Sequence, residues 1–188
     1  QLQFLQSKII IGILTVTAIA MLVLGYTHQI DFSSLGAALP VILMSIALAV
    51  ILFAFSYRKS ALTAWIYLLT AHLFIIAAVL FNADHIYFLE IVFYVSGVLV
   101  AFLVGYFCLQ KIKRIDNDIS LNQFHGYVYE QETTGLWFLF AAIGMLGFPV
   151  TAAFIGIDVL FTYVHSNQVV LIALMALCLI FIELSAFR

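Results

Sequence analysis

Long apolar runs alternate with short polar breaks from one end of the chain to the other. The runs fall near residues 9–27, 38–57, 61–82, 86–110, 135–164 and 169–187, and the polar breaks include THQIDFSS, RKS, NADH, KIKRIDNDISLNQFHGYVYEQETT and HSNQ. A helix needs roughly 20 mostly apolar residues to cross a bilayer. The pattern therefore predicts an all-α fold, a polytopic membrane helix bundle of about six transmembrane helices. Residues 1–110 would carry four helices. A polar connection over 111–134 would follow, and 135–188 would hold a broken helix and a terminal one. No repeat of longer period is visible. The first run does not end in a small-residue cleavage site and further spans follow it, so it reads as a span rather than a leader. The start at Gln1 and the stop at Arg188, where a helix closes, suggest a piece of a longer protein.

Charge placement gives this pattern a direction. The basic residues are Lys8, Arg58, Lys59, Lys111, Lys113, Arg114 and Arg188, while 28–37, 82–85 and 165–168 contain none. Cytoplasmic loops carry the excess of Lys and Arg. Six crossings with both termini, 58–60 and 111–134 on the cytoplasmic side satisfy that rule. The assignment requires 135–164 to cross once, although it is too long for a straight perpendicular helix.

Composition then removes whole classes of function. Hydrophobic residues make up 66% of the chain and charged ones 9%, against about 25% charged in soluble domains. With mean hydropathy +1.21, the lipid bilayer is the expected surrounding. The net charge of −2 and the lack of a basic stripe argue against a nucleic-acid partner. Cys108 and Cys178 stand alone in apolar runs, no His or Cys pair has metal-ligand spacing, and no nucleophile or phosphate-binding motif occurs. No metal, cofactor or self-contained catalytic site is expected.

The chemistry gathers around GFPVTAAFIGID, residues 147–158. Pro149 lacks the N–H a helix would use, and Gly147 and Gly156 weaken the helix further. Such a break can be a packing kink. It can also turn freed backbone groups toward a wet cavity, as transporters do at ion sites. Asp158 follows it, about 10 Å from the end of the helix at His165 by helical rise. An acid at membrane depth costs about 2.5–3.5 kcal/mol on insertion scales and defaults to function. Asp158 is therefore a candidate proton carrier facing the interior; the alternative is an acid paired to a neighbouring span. Glu183 is either a relay or an interfacial companion of Arg188, and Glu90 reads as interfacial. His72, in LLTAHLFII, is either a relay or a packed core residue, and is expected between helices within reach of a polar group from another span.

Residues 116–188, running DNDISLNQFHGYVYEQETTGLWFLFAAIGMLGFPVTAAFIGIDVLF into a last helix that ends in Arg188, resemble a known family. The likeness is to the late helices of the antiporter-like, proton-conducting membrane subunits of respiratory complex I, of Mrp-type antiporters and of inorganic-carbon uptake systems. Leu121 and Gly126, Gly147-Phe148-Pro149, Phe154-Ile155-Gly156 and Phe187-Arg188 occupy the matching places. The resemblance implies a subunit that conducts protons, or exchanges a small cation for protons, beside other membrane subunits in a bacterial or organellar inner, energy-coupling membrane. It also implies that 135–164 joins parts of two family helices. The chain departs from the pattern twice. Ile157 stands where the family often has an acid or lysine, with Asp158 one place later, and spans 2 to 4 hold no internal lysine. The alternative function is a non-conducting structural subunit that docks a partner through His125, Tyr127 and Tyr129.

Overall fold

A computed structural model describes residues 8–27, 38–83, 88–116, 119–122, 126–149 and 151–187. Every regular element among them is helical: α1 (Lys8–Thr27), α2 (Ala38–Ser56), α3 (Ala61–Asn82), α4 (Phe88–Asp116), the single turn α5 (Tyr127–Glu130), α6 (Glu132–Met145), α7 (Ala152–Thr162) and α8 (Val169–Ala186). Five of them, α1, α2, α3, α4 and α8, are long and apolar enough to cross a membrane. The chain is a helical membrane bundle, as the apolar runs predict.

α3 is the axis of this bundle. It starts where the Ser60 hydroxyl accepts the N–H of Thr63 at 3.4 Å, and from Ala64 to Leu80 only Ile66 is less than buried. A helix apolar on every side has no solvent face to offer and is enclosed by its neighbours. α1 runs parallel to it, with Thr15 hydrogen-bonded to Thr70 at 2.9 Å and Gly25 against Leu80. α4 runs antiparallel, since Trp65 donates to the Phe102 carbonyl at 3.0 Å while His72 meets Tyr94. α2 and α8 close the remaining sides, where the Cys178 thiol donates to the Met44 carbonyl at 3.8 Å. Small residues let these backbones approach, because packing rather than water exclusion holds membrane helices together. Ala18, Ala47, Ala54, Ala71, Ala77 and Ala78 are all fully buried.

The fifth apolar run is two helices in tandem, and their contacts along α4 decide how it travels. Phe138 stacks on Trp65, which abuts Gly105. Gly144 faces Ala101, Ala153 faces Gly97, and Gly156 faces Tyr94. Tyr163 then hydrogen-bonds Glu90. The register descends steadily, so α6 and α7 together form one antiparallel path beside α4, broken in the middle. One broken crossing matches this order; two crossings do not. Gly97, Ala101 and Gly105, one helical turn apart on α4, are the small residues that admit it.

Two boundaries differ from the pattern reading. α4 continues to Asp116 rather than ending at 110, because Lys111, Lys113 and Arg114 are good helix formers and Ile112 is buried against the bundle. α6 begins at Glu132 rather than 135. Lys8 opens α1, and Arg58, Lys59, Lys111, Lys113 and Arg114 lie at the same end, where α1 and α3 begin and α2 and α4 finish. That end is called the basic end below.

Candidate functional site

The helix break is built by the sequence Gly144-Met145-Leu146-Gly147-Phe148-Pro149. Gly147 adopts φ +67, a left-handed conformation that costs a residue with a Cβ about 1–2 kcal/mol. Its N–H donates to the Gly144 carbonyl and that of Phe148 to the Ile143 carbonyl, both at 3.2 Å. These are the two bonds of a Schellman stop, with glycine at the first position past the helix and proline soon after. Pro149 has no N–H to offer the Met145 carbonyl, four residues earlier. The chain re-enters a helix at Thr151, whose N–H and hydroxyl both donate to the Phe148 carbonyl at 2.8 Å. The break is thus a complete helix end and a new helix start inside the bundle, rather than a kink in one helix.

His72 lies beside this break. It is fully buried, and its Nδ1 is 2.7 Å from the Tyr94 hydroxyl. The expectation of a polar partner from another span is met by this tyrosine of α4. Nε2 has no hydrogen-bond partner among the described residues, although the Met145 backbone approaches the ring without bonding geometry. Tyr94 is itself enclosed, 1% exposed, because Gly156 leaves no side chain where its Cβ and ring pass. Gly156 therefore does not loosen α7, as its composition suggested; it sits inside the helix and permits close contact.

Toward the end opposite the basic one lies a second polar cluster. The Tyr163 hydroxyl donates to the Glu90 carboxylate. Asn82 Nδ2 donates to the Tyr163 carbonyl at 2.8 Å and to Gln168 Oε1 at 3.0 Å, and Gln168 Nε2 returns a bond to Asn82 Oδ1 at 2.8 Å. Glu90 and Tyr94 are one turn apart on α4. Between them is a void of about 10 Å³, walled chiefly by Ile76, Val79, Leu80, Ile91 and Leu160. That is barely the size of one water, and an apolar wall favours a dry state.

Asp158 does not join this arrangement. Among the described residues of α7, Ala153, Gly156 and Leu160 are buried. Asp158 lies two residues from both Gly156 and Leu160, about 200° around the helix, and it is exposed. The expectation that it faces the interior is overturned by helical phase. Ile157, half-buried, takes the inward place instead and packs on Gly147. Glu183 is also exposed, in the last turn of α8. Pro149 is exposed as well. Of the docking residues, Tyr129 is 84% exposed, while His125, the Tyr127 side chain and Arg188 lie outside the described residues. Tyr94 was missed in the sequence; the available signal was its position four residues past Glu90 on a helix that also carries Gly97, Ala101 and Gly105.

Compared with known proteins, the chain matches no family model, no curated sequence and no solved structure.

Proposed function

We propose that the chain is a membrane subunit of a larger energy-coupling assembly in which His72, hydrogen-bonded to Tyr94, handles a proton at the helix break. The observation that carries this reading is the fully buried His72–Tyr94 pair at 2.7 Å. A histidine exchanges protons near neutral pH in ways few side chains can, and an ionisable group inside a membrane bundle is by default a candidate functional site. Tyr94 holds the ring in place and can pass a proton through its hydroxyl. The Glu90–Tyr163 cluster supplies the nearest polar groups toward the end opposite the basic one. The small void between them, walled mostly by apolar side chains, is where a water entering would join the two. Transport of protons, or exchange of a small cation for protons, in an inner membrane follows from the family resemblance of residues 116–188.

A second reading is favoured by the outward acids. A carboxylate facing hydrocarbon is expensive, so the exposed Asp158 on α7 calls for a neighbouring subunit to cover it. This supports a structural subunit that docks a partner, and it is compatible with the first reading.

The test is proton flux in vesicles containing the whole assembly. His72→Gln, which keeps a polar side chain but cannot exchange a proton near neutral pH, is expected to abolish coupled flux without loss of assembly. Tyr94→Phe is expected to reduce it by tenfold or more, on the order of a lost proton-transfer group. Wild-type flux in an assembled His72→Gln variant would leave the structural reading.

A further inference from the structure

At the basic end, α3, α4, α6 and the end of α8 surround a cavity of about 930 Å³, within the size range of sites that enclose a bound organic molecule. Trp65, Leu68, Ile112, Phe138 and Leu139 make its interior apolar. Leu136 and Phe187 on its wall are 52% and 59% exposed, so it is open to the flank of the bundle, where lipid chains lie. Its polar rim is fixed by backbone bonds: the Leu121 N–H donates to the Arg58 carbonyl at 2.8 Å and the Ala61 N–H to the Ile119 carbonyl at 3.0 Å. Ile119, Ser120 and Leu121 line the cavity, and these bonds hold exposed Arg58 and Lys59 beside them. Exposed Lys111 and Lys113 flank Ile112 on the overhang of α4. Among the described lining residues Glu132 is the charged one; it sits in the first turn of α6, where the helix dipole partly offsets its charge.

We infer that this cavity binds an anionic phospholipid, one acyl chain against Trp65 and Phe138 and the phosphate at the Arg58–Lys59 rim. The argument is charge complementarity over an apolar slot open to the membrane. Basic pockets between spanning helices on the cytoplasmic side recognise such headgroups. The inference is independent of proton transport.

The test uses the whole assembly in its own membrane, with a photoreactive phenylalanine analogue in place of either Phe138 or Phe107. Phe138 stacks on Trp65 inside the cavity, with ring centroids 5.3 Å apart, and Phe107 is 64% exposed on α4. Both changes keep an aromatic ring. After illumination, mass spectrometry reads the headgroups of the lipids attached at each position. The expected result is an anionic share at position 138 about fivefold or more above that at 107, the effect of one basic residue near a membrane surface. Combining R58Q with K59Q should remove that excess. Equal headgroup ratios at the two positions would overturn the assignment. So would adducts at 138 only to peptide from this chain or a neighbouring subunit, which would mean that protein fills the slot.

Discussion

Gly147, Gly156 and Tyr94 show how single residues set the site. Gly147→Ala should cost about 1–2 kcal/mol from the left-handed backbone alone, and more because the added Cβ meets the Ile157 side chain. Tyr94→Phe leaves His72 Nδ1 without the partner it has now. An unsatisfied buried polar group costs about 1–3 kcal/mol, so thermal unfolding of the purified variant should shift downward. An unchanged midpoint would mean that the hydroxyl carries no stabilising bond. Asp158 gave the opposite outcome to the one its residue type suggested. Its acidity and its place after a helix break were both legible, but its direction was not. α7 is apolar nearly all round, so hydrophobic pattern does not reveal the inward face. The contacts of Ala153 with Gly97 and of Gly156 with Tyr94 fix the phase.

At the scale of elements, the lengths of the apolar runs made most helices legible, because a spanning segment must satisfy its own backbone over the full width of the bilayer. The break at Gly147-Phe148-Pro149 was also legible, though proline drew more attention than glycine. The structure reverses their weight, since the two bonds that end α6 run through Gly147 and Phe148. Pro149→Ala should therefore leave the stop in place, whereas Gly147→Ala should not. The apparent melting temperature of the second variant should fall clearly below that of the first, and the reverse order would assign the break to proline. The pairing of α3 with α4 could not be read from the chain. Register between two apolar helices is set by small residues such as Gly97, Ala101 and Gly105, which look unremarkable in a sequence of this composition. That hidden register is why His72 was visible as a candidate and its partner was not.

For the whole molecule, the collected basic residues give a direction that can be measured. Ser60 begins α3 at the basic end and Asn167 lies between α7 and α8 at the other. Cysteines placed there should be labelled from opposite faces of the membrane, with Ser60 reached from the cytoplasm. Labelling of both from one face would contradict the single broken crossing of α6 and α7. In the proposed reading, the exposed acids Asp158 and Glu183 are the positions a neighbouring subunit would cover. The central claim is that the interior histidine, and not the outward acid, carries the proton. Its most direct test is flux through the assembled Asp158→Asn variant, which keeps shape and removes the charge. The account predicts flux close to wild type; loss of flux in a normally assembled complex would contradict it.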